Sequence, residues 1–221
     1  MVTAMPAVTV ERIATPRGEL ALRRVDGDYE IVSNGTFLMD TRDGRSERLL
    51  VDAALGRTSA PRPRVLIGGL GVGFSLAAAV ACARVREITV VEVEPAVIAW
   101  QRGPLGAYSG HAADDPRVSL ACADLLGWIG APGPAYDAVC LDIDNGPDWT
   151  VVEDNAGLYT AAGLAALRAR LAPGGVLAVW SAAAAPAYEA RLRACFTEVA
   201  VCEIPVPRGE PDRVYLAVRA G

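Results

Sequence analysis

Three carboxylates stand where apolar runs end: Glu92 after Ile88–Val91, Asp124 after Arg117–Cys122, and Asp142 after Tyr136–Leu141. A fourth apolar run, Val65–Ile67, ends in a turn containing Gly68, Gly69, Gly71 and Gly73. Glycines let a backbone approach a ligand closely, and a carboxylate about twenty residues further on can accept hydrogen bonds from both hydroxyls of a ribose. A lone acid after a strand often does no more than cap the next helix, and Asp124 is placed to do so. In an open α/β sheet, however, ligands bind outside the carboxyl ends of the strands. A polar group at each of these ends therefore points to one shared site.

The elements that must position these groups read as strands alternating with helices, the pattern of a parallel sheet. Ser75–Ala83 is the helix after the glycine turn, Pro95 opens a helix to about Arg102, and Asp124 begins a helical turn through Ile129. A loop from Ile143 to Asn155 is followed by a helix over Gly157–Leu171, a turn at Pro173-Gly174-Gly175 and a strand over Val176–Trp180. Pro186–Cys195 is a further helix, and Glu198–Ile204 with Arg213–Val218 form an antiparallel pair around Pro205–Pro211. A nicotinamide fingerprint requires G-x-G-x-x-G. Here the third glycine falls on Phe74 or Leu76, depending on where the motif starts. The G-x-G-x-G loop disfavours a nicotinamide reductase and suits an adenosine with a sulfur-borne side chain. Glu92 then holds the ribose and Asp124 the adenine amino group.

Composition narrows the chemistry. All 21 basic residues are arginine, which removes Schiff-base chemistry and the phosphate-loop lysine. His111 is the only histidine, in a polar loop, so a Ser-His-Asp triad or a multi-histidine metal site has little to work with, and no metal is expected. The net charge of −5 argues against nucleic acid or an anionic membrane as partner. The five cysteines lie in apolar runs with no Cys-x-x-Cys, as buried reduced thiols do. Met1–Val10 shows no basic start followed by an apolar core, which predicts a soluble, cytoplasmic protein.

Residues 1–57 differ from the rest. Val8–Ile13, Glu19–Val25, Tyr29–Val32 and Thr36–Met39 are short runs of branched and aromatic residues, punctuated by Pro16, Gly18, Gly27 and Asn34-Gly35. They predict a small antiparallel β-element, joined by a helix over Ser46–Leu55 and the stiff Ala60-Pro61-Arg62-Pro63 linker to a nucleoside-binding catalytic domain over 58–221. The fold class expected is thus α/β: a Rossmann-like, mostly parallel seven-stranded sheet with helices on both faces, preceded by the small β-element.

Over Tyr29–Trp180 the sequence resembles the spermidine synthase-like branch of the class I methyltransferase fold. Gly35–Asp43 resembles that family's "DG…RDE" approach, Ile67–Gly73 its I-GGGDGG loop and Val91–Pro95 its V-E-I-D-P ribose segment. Tyr136–Asp142 is similar to its YDVIxxD, and Leu158-Tyr159 and Leu171–Val176 to its LYT and L-x-P-G-G segments. The resemblance implies S-adenosylmethionine or its decarboxylated form as donor, a small amine as acceptor, Asp142 as catalytic base, and a homodimer. The amine would attack a carbon on the donor's sulfonium, leaving the protein mainly to supply alignment and to steer a proton. Three departures fall on the amine-binding positions. Gly71 stands where the family has the Asp of GGGDGG, Asn145 where it has the second Asp of D-S-S-D-P, and Glu47 where it has glutamine or histidine. Asp144, Asp148 and Glu47 are the replacements for the missing charge, with Trp149 and Tyr159 as pocket walls. Glu94 reads as a surface charge at a helix start. A rival reading is a non-catalytic nucleoside-binding protein.

Overall fold

In the computed structural model the described residues are 7–150, 153–207 and 209–221. Val151 and Val152 of the acidic loop, Arg208 of the tail hairpin and Met1–Pro6 lie outside them. The chain opens with four antiparallel strands in consecutive order: β1 (Val8–Thr15), β2 (Gly18–Val25), β3 (Asp28–Ser33) and β4 (Thr36–Asp40). Asp26-Gly27 and Asn34-Gly35 carry positive φ at both positions, 51° and 100° in the first pair and 50° and 79° in the second. That backbone matches the twist of the strands it joins, which is why Asn-Gly and Asp-Gly are hairpin signals. Helix α1 (Arg45–Arg57) follows.

The large sheet contains β5 (Arg64–Gly68), β6 (Glu87–Glu92), β7 (Val118–Cys122), β8 (Tyr136–Leu141), β9 (Leu171–Ser181), β10 (Glu198–Ile204) and β11 (Asp212–Val218). Their order is β10-β11-β9-β8-β5-β6-β7. The pairs β5–β6, β5–β8, β6–β7 and β8–β9 are parallel, whereas β9–β11 and β10–β11 are antiparallel. This is the mostly parallel, seven-stranded architecture expected. The crossover helices are α2 (Phe74–Ala81), α3 (Pro95–Gln101), α4 (Leu125–Gly130), α5 (Ala161–Arg170) and α6 (Pro186–Cys195).

Strand residues alternate between two apolar cores, because successive side chains point to opposite faces of a sheet. Val65, Ile67, Ala138, Cys140, Val176 and Ala178 join one core together with residues of α1, α2 and α3. Leu66, Val139, Leu141, Leu177 and Val179 join the other, with residues of α4, α5 and α6. Leu20, Leu22 and Ile31 of the small sheet belong to the first core. The β-element therefore shares a core with the large sheet and is not merely appended to it.

Two expectations are corrected. The helix expected from Gly157 begins at Ala161, because Thr160 caps it, its hydroxyl accepting from Gly163 N–H at 3.1 Å. Glu153–Tyr159 forms a 3-10 segment instead. The strand expected from Val176 begins at Leu171, which pairs with Tyr136 before the register shifts across Pro173-Gly174-Gly175. The polar loop over residues 103–116 contains two short 3-10 turns, Gly106–Ser109 and Ala112–Asp114. Leu22 is fully buried in the core that both sheets share. Leu22→Ala should cost about 2–5 kcal/mol of unfolding free energy, measured by denaturant titration.

Candidate functional site

At the carboxyl ends of β5, β6 and β8 a cavity of about 480 Å³ opens, a size suited to a nucleoside-scale ligand. Its geometry starts from the glycine turn. Gly69 N–H donates to Val91 O at 2.9 Å, and Asp142 N–H donates to Gly68 O at 2.9 Å, so the turn is clamped between its two neighbouring strands. Gly69 has φ +87°, and a Cβ there would lie 2.1 Å from the backbone oxygen of Asp142. Only glycine permits that crossing, and the crossing is what brings the loop and the end of β8 together.

Glu92 ends β6 and is buried. Its Oε2 accepts from Leu70 N–H at 2.9 Å and its Oε1 from Glu94 N–H at 2.8 Å. Burial pushes its carboxyl above the ordinary range, and these backbone donors oppose the push. Asp124 does cap α4, accepting from Gly127 N–H at 2.6 Å through Oδ2, while the residue also lines the cavity.

Asp142 accepts from the Ser75 hydroxyl at 2.9 Å, and the same hydroxyl lies 3.2 Å from the carbonyl of Glu47. Burial lifts the Asp142 carboxyl to about 6; the Ser75 bond lowers it and the charge of Asp212 raises it. Glu47, buried on α1, is lifted to about 8, first by burial and then by the charge of Asp142. Its Oε2 accepts from the Ser46 hydroxyl at 3.0 Å. Asp212 is also raised by burial, against the pull of Ser46 and Trp180. The Trp180 indole N–H, though beside Asp212, closes no hydrogen bond of standard geometry.

The cavity wall gathers Glu47, Gly69, Gly71, Glu92, Asp124, Asp142, Asp144 and Asn145 from the residues expected in the site. Gly68 and Gly73 are not on it: Gly68 faces Leu125, and Gly73 starts α2 against Gln101 and Ser109. Trp149 is 60% exposed and Tyr159 is buried away from the cavity, so neither is a wall of it. The Tyr159 hydroxyl instead lies 3.4 Å from Asp144 Oδ2, and its ring packs edge-on against Tyr188. Asp148 lies on the exposed loop, off the cavity wall.

Sequence reasoning missed four further wall residues: Arg17 and Met39 from the small β-element, and Glu94 and Asp154 from segments beside the expected acids. Glu94 is no surface charge, because its side chain turns inward onto Arg17 at 2.7 Å. Met39 Sδ accepts from Val72 N–H at 3.2 Å and sits 2.1 Å from where a Cβ on Gly71 would be. A side chain at position 71 is therefore displaced by a thioether brought in from the small sheet. Nothing in the local sequence announces this pairing, since the partners lie some thirty residues apart.

Among the described residues on the wall, seven are carboxylic acids (Glu47, Glu92, Glu94, Asp124, Asp142, Asp144 and Asp154), and Arg17 is the one cation. With Arg17 paired to Glu94, the cavity has a strong excess of negative charge and suits cationic ligands. The raised acids also make a stability prediction. In the folded chain Glu47 keeps its proton up to about pH 8, while the unfolded chain loses it near 4.5, so stability falls as pH rises through that window. Glu47→Gln should melt higher than the parent above about pH 8 and equally with it near about pH 4, as read by thermal unfolding across pH.

No family model matches the chain. It is 34% identical over 157 residues to polyamine aminopropyltransferase 1 of Streptomyces coelicolor, covering 70% of this chain and 28% of that relative. It is 33% identical over 135 residues to polyamine aminopropyltransferase 2 of Pseudomonas aeruginosa, covering 59% of this chain and 36% of the relative. The chain thus spans about a third of the length of these curated relatives. Among solved structures, spermidine synthase from Thermotoga maritima superposes with a TM-score of 0.78 at 17% identity, over 96% of this chain and 72% of that one. A spermidine synthase in complex with the transition-state analogue AdoDATO gives 0.78 at 18% identity. At these identities the superpositions show the shared fold.

Proposed function

We propose that this chain, which belongs to the spermidine synthase-like family, is a group transferase that moves an aminopropyl group from decarboxylated S-adenosylmethionine to a small amine. The observation that carries the reading is the acidic cavity at the carboxyl ends of the parallel strands. Donor and acceptor are both cations, and a wall with seven acids, of which Glu47 is held protonated to about pH 8, and one already paired arginine attracts them. The same wall disfavours intact S-adenosylmethionine, whose extra carboxylate would face like charges. Methyl transfer from that donor is accordingly the second choice. Binding without transfer is the third, and a competent base at Asp142 speaks against it.

In this reading Glu92 accepts the ribose hydroxyls and the free side of the Asp124 carboxylate meets the adenine amino group. The turn backbone at Gly69 and Gly71 passes against the nucleoside. The acceptor arrives as an ammonium ion and must lose a proton before its lone pair can attack. Asp142, with a carboxyl near 6, is ionised at neutral pH and basic enough to take that proton. The freed amine attacks the carbon bound to the sulfonium, and the C–S electron pair returns to sulfur. The sulfonium is already a good leaving group, so catalysis consists mainly of holding the partners in line. Glu47, Asp144 and Asn145 border the acceptor end, where Asp144 supplies negative charge absent from Gly71 and Asn145, and Glu47, protonated at neutral pH, adds a buried carboxyl that a bound cation would help to ionise.

Calorimetric titration with the two donors side by side tests the choice. The decarboxylated form should bind at least about tenfold more tightly, and a preference for the carboxylated donor would replace aminopropyl by methyl transfer. Asp142→Asn should lower turnover by about 10²–10⁴-fold, the usual worth of a general base. Donor affinity should stay nearly intact; its collapse would reassign Asp142 from proton acceptor to donor ligand.

A further inference from the structure

We infer that Arg17 is a positioning residue of the nucleoside site: from the β1–β2 turn it clasps the segment after β6 and thereby aims the carboxylate of Glu92. The inference rests on reading the cavity as a nucleoside site. Arg17 uses two faces of its guanidinium at once. Its Nε donates to Glu94 Oε1 at 2.7 Å and an Nη to the carbonyl of Val93 at 2.9 Å. Thr15 adds a hydroxyl to the same Glu94 oxygen at 3.3 Å. A planar, forked donor holds a carboxylate and a neighbouring carbonyl in a fixed geometry that the rotatable point charge of a lysine does not impose.

The clasp leads directly to the ribose carboxylate. Glu94 sits at the position that would cap α3, yet its side chain makes no cap bond. Its backbone N–H instead donates to Glu92 Oε1 at 2.8 Å. Holding Val93 and Glu94 from outside therefore fixes one of the two donors that orient Glu92. The other, Leu70 N–H, is fixed by the glycine turn.

The turn that carries Arg17 is itself held. Asn34, in the β3–β4 turn, donates through Nδ2 to Arg17 O at 3.0 Å and accepts from Glu19 N–H through Oδ1 at 2.8 Å. Gly18 has φ +115° and lies so close to Asn34 that a Cβ would come within 2.0 Å of its Oδ1. Both turns reach the cavity, where Arg17 and Asn34 are wall residues. The small sheet is thus part of the site's frame, and Arg17 is the point at which it acts on the ligand-binding carboxylate.

A clasp that aims Glu92 affects the ribose hydroxyls selectively; a clasp that only supports the fold affects every nucleoside alike. Calorimetry with adenosine and 2′,3′-dideoxyadenosine separates the two roles. The parent should favour adenosine. Arg17→Met should weaken adenosine binding by about tenfold while changing the dideoxy affinity less than about twofold, and Arg17→Lys should recover only part of the loss. Glu94→Gln, a near-isosteric change that keeps the chain folded if Arg17→Met does not, should show the same selective loss. Combined with Arg17→Met it should add little, as members of one interaction do. Equal losses for both nucleosides, or no loss in either variant, would overturn the inference. If the parent binds adenosine but turns over neither donor, the transfer reading fails while the selective loss still tests the clasp.

Discussion

Crowding seven carboxylates around one cavity is the condition on which the rest of this site depends. Like charges beside the end of an apolar sheet raise one another's proton affinity, and burial adds to the effect. The protein meets this in two ways. At the end of β6, two backbone N–H groups oppose the effect of burial on Glu92, and Arg17 pairs with Glu94. At Glu47, Asp142 and Asp212 burial outweighs the hydrogen bonds each accepts, and their carboxyls rise. A cation beside these acids favours their ionised form. Ordinary stability is sacrificed where binding is needed, a common arrangement at functional sites.

The small sheet explains how a site with such departures from its family's pattern keeps its shape. Met39 and Arg17 both reach from the small sheet to the cavity wall. Met39 occupies the space over Gly71 and takes the Val72 amide, and Arg17 holds Val93 and Glu94. The glycine at position 71 is therefore a matched change. The space over it belongs to a sulfur from β4.

The α/β architecture and the strand-end acids were legible because their signals are local. Alternating apolar runs with glycine or acid at their ends mark each β-α unit, and the Asn34-Gly35 and Asp26-Gly27 pairs mark hairpins through their own backbone preferences. The start of α5 differs for an equally local reason: the alanine-rich run after Thr160 favours helix, and the Thr160 cap sets where it begins, leaving Glu153–Tyr159 as a 3-10 segment. Trp149 and Tyr159 were placed near the acceptor by proximity in sequence, which does not fix the direction of a side chain in a loop.

By itself the sequence determined the order of elements, the glycine turn, and the identity of the acids that end β6 and β8 and cap α4, since each rests on contacts within a β-α unit or on the period of a strand. Only the tertiary structure decided which acids share one cavity and which side chains complete it. Arg17 meets Glu94 across 77 positions, and Met39 meets Val72 across 33. No periodicity or spacing encodes such meetings, because they depend on how one sheet packs against another. The same packing turned Glu94 from an apparent surface charge into a half-buried partner of Arg17.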